Sequence, residues 1–140
     1  MEKNILVYVE TAQGAPVGPA LEILAKAKEL AATKGEEVIA AILAEAPEEA
    51  AKTAVEAGAD QAVIVKTAES RPEVRAAMLA KLVEKYTPSL VLAAATQEGK
   101  DVTPLLAQKF EAGCAVDVMN IWQMAISMYL PARFMAEIFK

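Results

Sequence analysis

A chain of 140 residues is the length of one domain around one core, and at 55% hydrophobic, much of it Ala, its composition is not that of a disordered chain. A net charge of −5 and a pI near 4.9, with both signs interleaved and no basic stripe, argue against a nucleic-acid partner. There is no histidine and a single cysteine, Cys114, which excludes an internal disulfide, Ser-His and Cys-His catalysis and imidazole-based zinc sites.

Met1-Glu2-Lys3-Asn4 runs straight into a strand-like segment and does not read as a signal peptide. No apolar run approaches the ~20 residues that span a bilayer. The expectation is a cytoplasmic protein without membrane or nucleic-acid partners.

Ile5–Val9 is a short β-branched apolar run, read as a buried strand. Thr11–Pro19 holds two Gly and two Pro and reads as a loop, with Pro19 placed for the first turn of a helix. Ala20–Lys34 carries Leu21, Leu24, Ala27 and Ala31 on one helical face, widened by Ile23 and Leu30, with Glu22 and Lys26 paired on the wet side; Gly35 stops it. Glu37–Leu43 is a second strand, Pro47–Ala57 a second helix ended by Gly58, and Gln61–Val65 a third strand. Pro72–Tyr86 is a helix with Val74, Met78, Leu82 and Val83 inward, broken by Pro88. Leu90–Ala95 is the fourth strand, Asp101–Glu111 the fourth helix, with Val102, Leu105, Leu106 and Phe110 inward, and Ala115–Ile121 the fifth strand.

This βαβαβαβαβ order predicts an α/β fold, a Rossmann-like three-layer sandwich. A mostly parallel sheet of five or more strands carries helices on both faces. The strands are continuous apolar runs, as a sheet covered on both sides requires. Residues 1–140 then form a single domain, with the core over 1–121 and an apolar extension over 122–140. That extension holds Trp122, Tyr129, Phe134 and Phe139. Gln123–Tyr129 and Phe134–Phe139 fit two extra edge strands or one helix and a tail; Pro131 opposes a single unbroken helix. Such an ending calls for cover by another domain, another subunit or the domain's own sheet.

Ligands of doubly wound sheets sit at the carboxyl ends of strands. Gly14 and Gly18 in the first such loop do not form G-x-G-x-x-G, and no P-loop is present. The stretch Ala94–Pro104 supports two readings. Thr96, Gly99, Lys100 and Asp101 can form an anion or nucleotide site, with free N–H groups at a helix start, a hydroxyl and a charge. Equally, Asp101 caps the helix, Pro104 sits in its first turn and Gly99 permits the turn. Cys114 reads as a buried, inert thiol. Asp117, in an apolar strand, could face a cleft, pair with Lys100 or simply be solvated. No paired carboxylates, catalytic constellation or metal set is visible.

Ala94-Ala95-Thr96-Gln97-Glu98-Gly99-Lys100-Asp101-Val102-Thr103-Pro104-Leu105-Leu106-Ala107 resembles G-A-T-x-x-G-R-D-L-A-P-x-x-A, a pattern of the electron transfer flavoprotein alpha subunit. Gly113–Val118 looks like the strand that follows it there, and the similarity runs in order over roughly residues 4–121. Ala94 replaces a usual Gly, and Lys100 a usual Arg, keeping the charge but losing the bidentate fork. Leu130-Pro131 stands where Arg-Pro is usual, so the tail matches less well. In the family this domain precedes a second one with most of the FAD contacts, and nothing here corresponds to it. The resemblance implies an N-terminal alpha-subunit domain that scaffolds the beta subunit and an FAD held mainly elsewhere, in electron transfer from dehydrogenases. It implies no catalytic residue and no cofactor bound by this chain alone. Two alternatives stand beside it. One is an AMP- or ATP-binding module similar to universal stress proteins, although their glycine-rich phosphate motif is not found. The other is a truncated or engineered domain that self-associates through 122–140.

Overall fold

The computed structural model describes residues 4–88, 90–94, 96–109, 113–118 and 134–138; for Lys34, Lys100 and the last two strands it describes the backbone. The apolar runs become the strands β1 (Asn4–Tyr8), β4 (Glu37–Ala44), β5 (Gln61–Lys66), β6 (Leu90–Ala94), β7 (Gly113–Val118) and β8 (Phe134–Ile138). Between them lie α1 (Gly18–Lys34), α2 (Glu48–Glu56), α3 (Pro72–Tyr86) and α4 (Gln97–Lys109). All strands of the six-stranded sheet pair in parallel, in the order β5-β4-β1-β6-β8-β7.

The period-2 alternation of the strands divides the core into two layers. Ile5, Val7, Val38, Ala40, Ile42, Leu90 and Leu92 face α1 and α2, meeting Ile23, Leu24, Ala27, Ala50 and Ala54. Leu6, Tyr8, Ile39, Ala41, Leu43, Val91 and Ala93 face α3 and α4, meeting Leu79, Leu82, Val83, Val102 and Leu106. The abundant Ala of helices and strands lets the layers approach closely. Each fully buried Leu or Ile is worth about 1.5–3 kcal/mol of transfer energy.

Proline and left-handed residues set the helix ends. Pro19 lies in the first turn of α1, and Gly35 closes it at φ 68°. Pro72 starts α3, and Thr87, at φ 41°, closes it.

Several elements depart from the sequence reading. The segment read as a loop after β1 contains a small hairpin, β2 (Thr11–Ala12) with β3 (Ala15–Pro16), turning through Gln13 at φ 52° and Gly14 at φ 81°. Lys26 pairs with Glu29 rather than Glu22, at 3.5 Å. Helix α4 begins at Gln97, four residues before Asp101. The expected fifth strand, Ala115–Ile121, corresponds to β7, which spans Gly113–Val118 and so starts two residues earlier; residues 119–121 lie outside the described residues. The tail contributes a strand at Phe134–Ile138, but inside the sheet, hydrogen-bonded to both β6 and β7, so among the described strands β7 and not β8 stands at that edge. Parallel pairing on both sides satisfies the backbone of β8, which an edge position leaves half open. The other suggested tail strand, Gln123–Tyr129, lies outside the described residues, as do Phe110, Trp122 and Tyr129.

Chain order reverses beside β1. From β1 the chain steps to β4 and β5 on one side, and β6 returns on the other. The gap between the carboxyl ends of β1 and β6 is the topological switch point, where open parallel sheets commonly bind ligands.

Candidate functional site

Strands β1 and β6 deliver Tyr8, Glu10 and Thr96 to the switch point, and the first turn of α4 adds Glu98 and Gly99. Tyr8 is 2% exposed on the α3/α4 side of the sheet. Its hydroxyl donates to Glu98 Oε2 at 2.8 Å and accepts from Arg75 Nη1 at 2.8 Å. Arg75, on α3, also donates from Nη1 to the Leu43 carbonyl at 3.1 Å and from Nε to the Glu69 carbonyl at 2.8 Å. Its Nε lies 3.8 Å from Glu98 Oε1, with the Arg75 side chain only 14% exposed. A buried phenol thus bridges a cation and an anion. Burial, reinforced by the Glu98 carboxylate, pushes the Tyr8 hydroxyl well above the ordinary tyrosine range.

Across the same gap the Thr96 hydroxyl donates to Glu10 Oε1 and accepts from the Gly99 N–H at 3.1 Å. Thr96 is therefore the N-cap of α4, satisfying the N–H of its third residue. This corrects the reading that gives the cap to Asp101. Asp101 is an exposed residue one turn into the helix, accepting from Gln97 Nε2 at 2.9 Å. Pro104 correspondingly lies inside the helix rather than in its first turn.

Gly99 has a different role from the turn expected of it. It is buried and helical, and a Cβ there would collide with the Ala94 carbonyl oxygen and come within 3.1 Å of its carbon. Only glycine lets α4 start this close to the end of β6. Of the four residues read as an anion site, Thr96 and Gly99 come together, Asp101 points to a partner on the outer surface, and the Lys100 side chain lies outside the described residues. The side chains of Cys114 and Asp117 also lie outside them, so their burial and pairing readings do too.

Beside this filled gap, at the ends of β4 and β5, lies an open groove of about 380 Å³. Thr11, Gln13, Glu45, Thr67 and Arg75 line it, together with Leu43, Ala44 and Ala46. Below it, Glu69 folds its own loop: the carboxylate accepts from the Ser70 and Arg71 N–H groups and from the Arg71 guanidinium, at 2.9 Å from Nε. Those bonds, the Arg71 side chain's first, hold the Glu69 carboxyl down to about 2. Among the described residues no three His, Cys, Asp or Glu gather as for a metal ion. Nor is any described helix long and apolar enough to cross a membrane.

Sequence reading missed Tyr8, Glu10, Arg75 and Glu98. Tyr8 is hidden in an apolar run, and Arg75 and Glu98 look like ordinary wet-face charges. Glu10 alone left a signal, as the first charged residue after a buried strand.

Fold and site together define a doubly wound parallel α/β domain. A universal stress protein from Archaeoglobus fulgidus has a similar fold, at TM-score 0.57 and 13% identity, covering 100% of this chain and 95% of that one. The model of the electron transfer flavoprotein domain matches residues 5–129, and the chain belongs to that family. It is 30% identical over 122 residues to the electron transfer flavoprotein subunit alpha of Thermoanaerobacterium thermosaccharolyticum, covering 85% of this chain and 37% of the relative. It is also 30% identical to the lactate dehydrogenase (NAD(+),ferredoxin) subunit LctC of Acetobacterium woodii, covering 82% of this chain and 28% of the relative. The acryloyl-CoA reductase electron transfer subunit beta of Anaerotignum propionicum is 25% identical, covering 85% and 33%. The chain spans about a third of the length of these curated relatives.

Proposed function

We propose that this chain is the N-terminal type of domain of an electron transfer flavoprotein alpha subunit. It scaffolds a beta-type subunit and an FAD held mainly by other segments, in electron transfer from dehydrogenases. It is a carrier component and supplies no catalytic residue. The family match over residues 5–129 supports the class, and the alpha-subunit relative supports the side of the complex.

The observation that carries the scaffold reading is the filled switch point. The described residues do not fit a flavin. Arg75 Nε and Nη1 are spent on Tyr8, Leu43 and Glu69, and the Thr96 hydroxyl is spent on Glu10. Two carboxylates, Glu10 and Glu98, stand where a pyrophosphate needs donors. The same features disfavour the stand-alone AMP- or ATP-binding module, and the likeness to a universal stress protein speaks for fold alone. The candidate set Thr96, Gly99, Lys100 and Asp101 serves, in this reading, to seat α4 on β6.

The test is to mix the purified chain with FAD, separate by gel filtration and record the visible spectrum. The expected result is no co-eluting flavin from the chain alone, and association with an electron transfer flavoprotein beta subunit in a second column run. Flavin retained at near one-to-one, or no association with the beta subunit, overturns the reading.

A further inference from the structure

We infer that the free edge of β5 is a docking surface for a second copy of this chain, paired antiparallel about a two-fold axis at Val63. The inference goes beyond the scaffold reading and does not depend on it.

Among the described strands β5 ends the sheet order, paired on one side with β4. An unpaired edge is a template for another strand, and proteins guard such edges with proline, a bulge or an inward-pointing charge. Gln61–Lys66 has none of these. All six residues keep an unbroken register with β4, and Ala62-Val63-Ile64-Val65 is uncharged throughout. Nor is the strand covered. Strands β1 and β6 are buried at every position, whereas no residue of β5 is buried. Among the described residues the large hydrophobics that stand exposed are Val55, at 47%, and Ile64, at 41%. Both lie on one flank. Lys66 Nζ meets Glu48 Oε1 at 2.9 Å, which turns the Glu48 side of α2 toward β5. Val55 follows Glu48 two turns along that side, and Ile64 is the next residue from Lys66 on the same sheet face.

Backbone phase and charge select the occupant and its register. The Thr67 N–H donates to the Ala44 carbonyl, and the β4–β5 register is constant. Within the strand, odd-numbered residues therefore direct N–H and C=O at β4, and Ala62, Ile64 and Lys66 direct theirs outward. Antiparallel strands exchange paired hydrogen bonds only between residues that both face the partner. Ala62 opposite the partner's Ile64 meets that condition twice across the axis and leaves Val63 opposite its own copy. The same register sets Lys66 opposite the partner's Asp60. Asp60 is exposed, and its Oδ2 accepts from the Val38 N–H at 2.8 Å. Two opposite-charge pairs then flank an apolar centre of Val63 and Ile64, and one patch serves both sides of the contact. Sliding the partner by two residues sets Lys66 opposite Ala62 in one direction and Gly58 in the other, and loses both pairs. A slip of one residue breaks the hydrogen-bond phase.

The experiment is sedimentation equilibrium of the full chain from micromolar to millimolar concentration, with Ile64→Lys and Lys66→Glu as variants and circular dichroism as the check on folding. The edge is short, so the expected result is a weak dimer, with Kd in the micromolar to millimolar range of small interfaces. Each variant should weaken it at least ~10-fold, the first by breaking the apolar centre and the second by setting like charges opposite each other. Cysteine scanning on a Cys114→Ser background reads the register. Val63→Cys lies opposite itself in a non-hydrogen-bonded pair, close enough for a disulfide. It should cross-link under mild oxidation, and Gln61→Cys and Val65→Cys should not. A chain that is monomeric throughout, a dimer indifferent to both variants, or faster cross-linking at 61 or 65 than at 63 overturns the inference. Should Ile64→Lys fail to fold, Lys66→Glu and Val63→Cys decide by the same criteria. Flavin retention and beta-subunit association, the readouts for the scaffold reading, are independent of these measurements, so the two ideas can fail separately.

Discussion

Two places at the carboxyl edge of one sheet have met opposite fates. Between β1 and β6 the crevice is packed with Tyr8, Arg75, Glu98, Glu10 and Thr96, every one of them hydrogen-bonded. Above β4 and β5 a groove of about 380 Å³ stays open. Backbone topology is shared by the two; side chains decide. Two acids, a phenol and a guanidinium convert the position that fold logic marks for a ligand into a strut tying β1, α3 and α4 together. Fold alone is thus a poor guide to binding in this protein.

The largest expected effect breaks the closed region at its tightest point. Gly99→Ala sets a methyl group against the Ala94 carbonyl, a backbone atom that cannot swing away. It should cost about 3 kcal/mol in urea unfolding, the upper range for overpacking. A cost under about 0.5 kcal/mol would mean that α4 does not sit as close to β6 as described.

Next comes Tyr8→Phe, which leaves the ring packing but strands Arg75 and Glu98 without their bridge. Removing one partner of a half-buried charged set should cost about 2 kcal/mol. The pH dependence adds a sign. The folded-state pKa of Tyr8 is raised above its ordinary 10.0, so the folded state keeps the proton when the unfolded chain has lost it. The stability from this group is complete below pH 10 and falls as pH rises beyond it. Melting curves between pH 9 and 11 should therefore fall more steeply for the wild type than for Tyr8→Phe; parallel curves would remove Tyr8 from the alkaline response.

The smallest effect belongs to the groove side. Glu69 has its carboxyl lowered from 4.5 to about 2 by the Arg71 bonds. Its contribution is present above pH 4.5 and disappears as pH falls toward 2. The Glu69 side chain is 25% exposed and that of Arg71 68%, so screening keeps the effect slight. The melting-temperature gap between wild type and Glu69→Gln should be small at pH 6 and close by pH 2. A gap that widens on acidification would show the opposite linkage.

Much of the architecture was legible in the residues. The apolar runs of β1, β4, β5 and β6, the prolines at the helix starts and Gly35 are local signals, and α3 matches its expected span, Pro72–Tyr86, residue for residue. The start of α4 was not legible. Asp101, Gly99 and Pro104 make a plausible cap, turn and first helical residue, and nothing local says that Thr96, beside a buried strand end, takes the cap instead. That choice depends on Glu10, 86 residues away, accepting the Thr96 hydroxyl proton. Tyr8 is likewise invisible in an apolar run, because its partners come from α3 and α4, 67 and 90 residues on.

The sequence by itself determined the α/β class, the two-sided burial of the strands and the electron transfer flavoprotein resemblance. Hydrophobic period, proline and glycine act within a turn or a strand, and a family pattern is written in consecutive residues. Only the tertiary structure decided that β8 lies inside the sheet, that Gly99 is a contact point rather than a turn, and that the switch point is filled by its own carboxylates. Each of those depends on which distant segments meet, and a hydrogen bond or a close approach between them has no signature in the spacing of either one.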